Sequence, residues 1–218
     1  MAVLLHLDAS ARRTSFSREL GDAFATAWRT AHPDGHHIHR DLAADPVPHI
    51  TEPWTELCDY VLEHQITNID RYKEAVRTPA QTQAWAIIEP LLAELVTADV
   101  VLIATPMYNF SVPSALKAWL DQVTFPKMSL APRKFVVAGA RGGAYGPGTP
   151  REPYDHHERY LRDFFAGHYR VMGDDAIFLN TELVNTHLDP ALAAHRPQHE
   201  LSRAAALAAA RTLGGELR

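Results

Sequence analysis

Residues 100–110, with the sequence VVLIATPMYNF, join an apolar run to a loop rich in polar and aromatic side chains. Val100 to Ala104 are all apolar, which is typical of a strand covered on both faces in a parallel sheet. Thr105 to Phe110 then bring two aromatic rings and an asparagine to the end of that strand. This combination predicts an α/β fold in which a ligand binds beyond the carboxyl ends of the strands.

Working outward from this stretch, four more short strands are predicted, with helical patterns between them. The strands are expected at 3–7, 36–40, 135–138 and 176–179. The helical patterns begin near residue 15 and then cover 53–75 (as one or two helices), 78–97, 113–123, 153–169 and 190–213. Strands that alternate with helices predict a doubly wound parallel sheet with helices on both faces. We expect residues 1–218 to form a single domain, since no linker or repeat interrupts the pattern.

Composition and charge narrow the class of protein further. The 218 residues are 46% hydrophobic and 22% charged, which excludes a disordered chain or a disulfide scaffold. A net charge of −5 argues against nucleic-acid binding. Cys58 is the only cysteine, which favours the reducing cytoplasm. No window approaches the ~18 apolar residues of a membrane span, so we expect no membrane association.

Histidine and cysteine chemistry is not expected from the sequence. There are 13 histidines, and several lie between residues 32 and 39. No HExxH or Cys/His spacing accompanies them, so we expect exposed histidines and no metal site. Cys58 has no nearby base in its pattern, and we expect no catalytic thiol.

The first strand leads into a loop of hydroxyl side chains at the start of a helix. Ser10, Ser15 and Ser17 lie in this loop, and Arg12 or Arg13 could add positive charge. Free N–H groups and the positive end of the helix dipole make such a start a phosphate site. The alternative is that Ser15 or Ser17 is only the helix N-cap. The loop lacks both GxxxxGK[ST] and GxGxxG, which excludes a P-loop and a dinucleotide fingerprint.

Two other strand ends carry candidate ligand groups. In the loop after Thr105, Tyr108 and Phe110 could flank a flat ring, and Asn109 could bond its edge; alternatively these aromatics pack into the core. The Gly142–Gly143 pair allows the backbone to approach a ligand closely, or is an ordinary turn. Together the three loops predict a site for a phosphate and a flat ring, most simply flavin mononucleotide (FMN).

These motifs resemble the FMN-dependent NAD(P)H azoreductases, which are also quinone reductases with a flavodoxin-like fold. The resemblance rests on Pro106 to Phe110, on the LKAWLD run at 116–121, on the serine-rich loop and on the Arg141-Gly142-Gly143 loop. It extends from Val3 to the final helix. It implies a five-stranded parallel sheet of order 2-1-3-4-5. It also implies bound FMN and NADH or NADPH as the electron donor.

The resemblance also implies which residues contact the cofactor. Serines of the first loop would hold the phosphate and ribityl end, and the second loop would hold the isoalloxazine ring. The full set is Ser10, Ser15, Phe16 and Ser17; Pro106, Met107, Tyr108, Asn109 and Phe110; and Ala140, Arg141, Gly142, Gly143 and Tyr145. Ala140 replaces a serine usual in the family, the first loop is one residue shorter than in many members, and residues 164–173 are more polar.

The activity implied is reduction of quinones and azo compounds in two steps, with a hydride passing through the flavin and no catalytic side chain assigned. The alternatives are a flavodoxin-type electron carrier, a flavin-binding module without its own small-molecule acceptor, and a reductase that releases reduced FMN. Family members are homodimers with the flavin site at the interface, so we expect Trp119 and Phe125 to lie in that interface. The other possibility is that this helix face packs only within its own subunit.

Overall fold

A single sheet of five parallel strands organises the molecule. The structure is a computed structural model that describes residues 1–217. The strands are β1 (Val3–Asp8), β2 (His36–Asp41), β3 (Val100–Pro106), β4 (Lys134–Ala140) and β5 (Ala176–Thr181). Their order is β2-β1-β3-β4-β5, and every neighbouring pair is parallel. The predicted strands and their order are confirmed.

Helices cover both faces of this sheet, because side chains that alternate along a strand point to opposite faces. On one face, α1 (Phe16–Ala31) and α6 (Arg196–Glu216) pack on residues such as Leu4, Val100 and Leu102. On the other face, Val101 and Ile103 meet the remaining helices. These are α2 (Glu52–Glu63), α3 (Pro79–Thr97), α4 (Ser114–Val123) and α5 (His156–Phe164).

The helix boundaries differ from the predicted ones at three places. Residues 53–75 split into α2 and a 3-10 segment, Ile69–Ala75, after Gln65 adopts a left-handed φ of 53°. The predicted helix at 153–169 ends as α5 at Phe164 and continues as a π-helical turn, Phe165–Tyr169. The last helix is preceded by a 3-10 segment, Pro190–His195. Hydrophobic periodicity does not separate these helix types, because their apolar spacings are similar.

Helix α4 is buried against its own subunit. Trp119 and Phe125 have no exposed surface within the single chain, and the same is true of Leu116 and Leu120. Side chains that are completely covered by their own chain cannot form the core of an interface. The expectation that Trp119 and Phe125 lie at a subunit interface is therefore wrong, and the packing alternative describes them.

The parallel arrangement brings the carboxyl ends of all five strands to one edge of the sheet. The loops that follow β1, β3, β4 and β5 meet at this edge. Within residues 1–217, no helix is both long and apolar enough to cross a membrane.

Candidate functional site

A cleft of about 450 Å³ opens at the carboxyl edge of the sheet. All three loops predicted from the sequence contribute to its walls. The predicted residues that line it are Ser10, Ser15, Phe16, Pro106, Met107, Tyr108, Asn109, Phe110, Ala140, Gly142 and Tyr145. Three further predicted residues, Ser17, Arg141 and Gly143, are not among the lining residues.

The hydroxyl-rich loop ends in a capped helix start. Ser15 is the N-cap of α1, and its Oγ accepts a hydrogen bond from the N–H of Arg18 at 3.2 Å. Ser15 therefore has the capping role considered as the alternative, and it also faces the cleft. The cap uses one helix amide and does not engage those of Phe16 and Ser17, which have no partner inside the helix. This end of the cleft presents hydroxyl and amide donors together.

Ser17 lies behind Ser15 and contacts its hydroxyl. Its side chain is completely buried, and its Oγ lies 3.0 Å from that of Ser15. Ser10 is also buried, and its Oγ accepts from the N–H of Arg12 at 3.2 Å. The three serines thus form two layers, with Ser10 and Ser15 at the cleft and Ser17 behind Ser15.

Arg18 anchors the loop and does not face the cleft. Its guanidinium donates to Asp8 at 2.9 Å, to Asp41 at 2.8 Å and to the carbonyl of Ser10 at 2.7 Å. The hydrogen bond from Arg18 lowers the pKa of Asp41, which keeps that carboxylate ionised. The cation that lines the cleft is Arg12, whereas Arg13 lies outside it.

The loop after β3 forms a tight turn that displays its aromatic residues. Tyr108 and Ser111 exchange two backbone hydrogen bonds of 2.9 Å, and Asn109 and Phe110 between them have φ values of 48° and 68°. Positive φ at both central residues is the geometry of a type I′ turn. Tyr108 is 37% exposed and Phe110 is 43% exposed. The alternative that these rings pack into the core is therefore wrong.

The turn is held against the next strand and next to more aromatic residues. The N–H of Met107 donates to the carbonyl of Ala140 at 2.8 Å, which fixes the second loop to the third. The ring of Phe110 lies 5.6 Å from that of Tyr154 and 6.4 Å from that of Tyr145. This end of the cleft is consequently aromatic and partly open to solvent.

The glycine pair after β4 packs closely against another protein segment. A Cβ on Gly142 would lie 2.6 Å from Nδ2 of Asn185, so only glycine fits there without a shift. The N–H of Asn185 also donates to the Gly142 carbonyl at 3.2 Å. The close backbone approach predicted for this loop is thus made to residue 185, while Gly142 still lines the cleft.

Arg141 points away from the cleft into a cluster of carboxylates. Its side chain is buried and pairs with Asp155 at 3.0 Å, Glu158 at 2.6 Å and Glu182 at 3.4 Å. Burial would raise the pKa of Glu158, but the hydrogen bond from Arg162 and the charge of Arg141 outweigh it and lower that pKa. Arg141 therefore ties β4 to α5 and to the end of β5.

Sequence reasoning missed a fourth wall of the cleft, which follows β5. Val184, Asn185, His187 and Leu188 line the cleft from this segment. The ring of His187 lies 5.4 Å from that of Phe16, so the segment also touches the start of α1. The strand-end rule applied to β5 would have indicated this segment, although it carries no glycine pair or serine cluster to attract notice.

Two other features noted in the sequence lie outside the cleft. The polar stretch 164–173 buries Phe165, Tyr169 and Val171 in the core. Cys58 is buried, and desolvation raises its pKa to about 12, which leaves the thiol protonated and unreactive at neutral pH.

Comparisons with known proteins agree with this architecture. A family model described as having a flavodoxin-like fold matches residues 2–173. An FMN-dependent NADH:quinone oxidoreductase of Nocardia farcinica is 63% identical over 100% of both chains. A protein of the same name from Streptomyces avermitilis is 41% identical over 94% of this chain and 92% of its own.

Solved structures show the same fold at lower identity. An azoreductase from Bacillus anthracis has a TM-score of 0.75 at 18% identity, covering 99% of this chain and 100% of its own. An FMN-dependent NADH-azoreductase from the same species, solved in complex with FMN, has a TM-score of 0.70 at 17% identity, covering 95% and 99%.

Proposed function

This chain belongs to the family of FMN-dependent NADH:quinone oxidoreductases with a flavodoxin-like fold, and we propose that its cleft holds one FMN and reduces quinones with NADH. One observation carries the proposal. A capped helix start lined with hydroxyls and an exposed aromatic turn lie in the same cleft. The first suits a phosphate and the second suits a flat ring.

We propose that the phosphate binds at the start of α1. Ser10 and Ser15 supply hydroxyls, the helix start supplies amides from Phe16 and Ser17, and Arg12 supplies the positive charge. Each of these groups favours an anion, and the helix dipole adds to them. Arg18 holds the loop in place through Asp8 and Asp41.

We propose that the flavin ring lies against the second and third loops. The bridge between Tyr108 and Ser111 uses their own amides, so those of Asn109 and Phe110 remain outside it. Met107 and Gly142 border the same space. Preorganised donors at the ring edge would stabilise the negative charge that develops on reduction.

The chemistry that FMN supplies when bound is the transfer of two electrons from NADH to the acceptor in successive half-reactions. The chain positions the flavin ring and the acceptor and shields the ring from solvent. Phe110 and Tyr154 leave an aromatic, partly exposed opening beside the ring site, which suits planar acceptors. We propose quinones as acceptors, and azo compounds as further acceptors of the same planar shape.

Assembly and location are also proposals. We propose a homodimer whose partner packs beside the exposed aromatic patch formed by Tyr108, Phe110 and Tyr154, so that the acceptor opening and the flavin site lie at the interface. We propose that residues 1–218 act as one FMN-binding domain in the cytoplasm. The single cysteine, Cys58, which leaves no internal disulfide, supports that location.

The test begins with the purified protein. We expect a yellow protein that retains one FMN per chain after desalting, is bleached anaerobically by NADH and reduces menadione with no added protein partner. Riboflavin, which lacks the phosphate, is the ligand control and should bind more weakly. Failure to retain FMN after reconstitution and desalting would contradict the proposal. A requirement for a partner protein would indicate an electron carrier.

A further inference from the structure

Three histidines and an aspartate lie together between β1, β2 and α1, away from the cleft. The register pairs Leu4 with His37 and His6 with His39, and Asp8 follows on the same face of β1. Leu4 packs with residues of α1, so this face of the two strands lies under that helix. The sequence alone led us to expect exposed histidines here, and it did not single out His6.

Three ligand atoms of this cluster converge. Nε2 of His39 lies 2.9 Å from Oδ2 of Asp8, and Nε2 of His6 lies 3.7 Å from Oδ1 of the same carboxylate. The atoms offered by His6, Asp8 and His39 all lie within 4.8 Å of one another. Ligand atoms of a tetrahedral zinc site are separated by roughly 3.3 Å, given metal–ligand distances of about 2.0–2.2 Å.

Three of the buried polar atoms in this cluster have no hydrogen-bond partner within residues 1–217: Nε2 of His6, Nε2 of His37 and Oδ1 of Asp8. Of these, Nε2 of His6 and Oδ1 of Asp8 belong to residues that are only 1% and 3% exposed. A buried polar atom without a partner is costly, and an ion or water that bridges the two atoms would remove that cost. The two atoms lie 3.7 Å apart, a separation that a single bridging ion or water can span.

We propose that His6, Asp8 and His39 form a binding site for a divalent transition-metal ion of the zinc class. Two imidazoles and one carboxylate are ligands that such ions prefer. The site lies outside the FMN cleft and does not rest on the proposed function.

The surroundings suit such an ion. Arg18 donates to Oδ2 of Asp8 at 2.9 Å, which orients the carboxylate and leaves Oδ1 free. The guanidinium charge is itself paired with Asp41.

The site also has an entry path and a close neighbour on α1. β2 is an edge strand, and the side chain of His39 is 46% exposed, so an ion can reach the site from solvent. Gly21 faces His6, and a Cβ there would lie 2.9 Å from Nε2. Glycine at this position keeps a methyl group away from the nitrogen that would bind the ion.

Binding of the ion would link edge strand β2 to β1 through His39. It requires His39 to carry its ring proton on Nδ1, since Nε2 would bind the metal. The bond between Nε2 and Asp8 Oδ2 is then replaced by bonds from both residues to the ion. We expect the folded state to be stabilised by binding, as for any ligand that prefers it to the unfolded chain.

The experiment measures Zn²⁺ binding to the purified protein, with FMN added in excess, after chelator treatment. The key variant is His39→Ala, because His39 is half-exposed and its loss should leave the fold intact. The matched control is His36→Ala, which removes an exposed histidine from the opposite face of the same strand. Equilibrium dialysis with metal analysis gives the bound equivalents, calorimetry gives the Kd, and flavin content and circular dichroism report integrity.

We expect H36A to bind Zn²⁺ like the wild type, and H39A to lose one equivalent or to bind it at least about tenfold more weakly. Zn²⁺ should also raise the thermal midpoint of the wild type and H36A but not of H39A. Equal binding by H39A and H36A, or no bound Zn²⁺ in the wild type, would overturn the proposal. None of these outcomes depends on flavin binding or reductase activity.

Discussion

At the scale of single residues, Ser15 combines two roles that can be separated by experiment. It caps α1, and its hydroxyl lines the cleft. Thr78 caps α3 with the same bond length of 3.2 Å and does not line the cleft. The two residues therefore form a matched pair, in which only one is expected to contact a phosphate.

Replacing Ser15 by alanine should weaken FMN binding by roughly 10- to 100-fold, because a hydrogen bond to a charged group contributes about 1.5–3 kcal/mol. Ser15→Ala and Thr78→Ala should each lower stability by about 1 kcal/mol through the lost cap. Quenching of FMN fluorescence on binding and urea unfolding measure the two effects. Equal FMN affinity in the two variants would contradict a phosphate contact by Ser15.

We expect His157 to make the stability of the protein depend on pH. It is completely buried, with Nε2 3.3 Å from Oγ1 of Thr105, directly beneath the second loop. Burial and the nearby charge of Arg141 lower the pKa of His157 to about 3. The unfolded chain binds a proton at this residue near pH 6.5 and below, whereas the folded chain does not until about pH 3.

Stability should therefore fall as the pH is lowered through this window, with a contribution from His157 of up to about 1.4 kcal/mol per pH unit. His157→Gln removes the titrating group and should flatten the slope of unfolding free energy against pH. His156→Gln changes an exposed neighbour and should leave the slope as it is. Urea unfolding across this pH range measures the slope of unfolding free energy against pH. Equal slopes for the wild type and H157Q would show that His157 does not contribute to the pH dependence.

At the scale of elements, α6 packs on α1 through a close approach near its end. A Cβ on Gly214 would lie 2.4 Å from the carbonyl oxygen of Phe24 and 3.0 Å from Cβ of Ala27. The neighbouring Gly215 faces open space, with nothing within 4 Å of its Cβ position. Two adjacent glycines of one helix thus have opposite surroundings.

Gly214→Ala should destabilise the protein by about 1–3 kcal/mol, because the helices must separate to admit the methyl group. Gly215→Ala should be neutral or stabilise it by up to about 1 kcal/mol, since alanine is the better helix former. Chemical unfolding of the two variants compares them directly. A similar effect in both would mean that helix propensity, and not the contact with α1, decides the outcome.

The turn that follows β3 holds the aromatic residues of the cleft in their exposed position. Asn109 and Phe110 hold left-handed φ values that non-glycine residues rarely adopt. The two backbone bonds between Tyr108 and Ser111 hold that conformation in place. The resulting strain is local to the site, as is common where a loop is arranged for binding.

At the scale of the whole molecule, the proposed homodimer predicts which exposed apolar residues lie in the interface and which do not. Tyr154 is 54% exposed and lies beside Phe110 at the mouth of the cleft. Met172 is 57% exposed and precedes β5, at the opposite edge of the sheet. Both are large apolar residues in contact with solvent, but only Tyr154 belongs to the patch proposed as an interface.

Light scattering of the FMN-loaded protein should give twice the chain mass at micromolar concentration. Tyr154→Ser should weaken this association, because aromatic residues are enriched in interface cores, whereas Met172→Ser should not. Dilution to the monomer should also lower menadione reductase activity per flavin. A monomer with full activity per flavin would contradict the shared site without affecting the proposal that FMN binds.

Much of the fold could be predicted from local pattern. The apolar runs that became β3 and β4, and the spacing of Leu20, Phe24 and Trp28 in α1, are properties of short segments, and they gave the correct elements. The three predicted loops also meet in one cleft, since parallel strands bring their carboxyl ends together. These features depend on periodicity and on the geometry of a parallel sheet.

The sequence by itself thus determined which segments form strands and helices and which strand ends carry polar and aromatic groups. Only the tertiary structure decided what covers each of them. In the folded chain, Arg141 pairs with three carboxylates. Residues of the segment 184–188 line the cleft, and Trp119 is buried within its own chain. The tertiary structure also brought His6 beside His39, through the pairing of two strands about thirty residues apart. Periodicity marks an apolar or polar face, but the partner of that face is set by long-range packing.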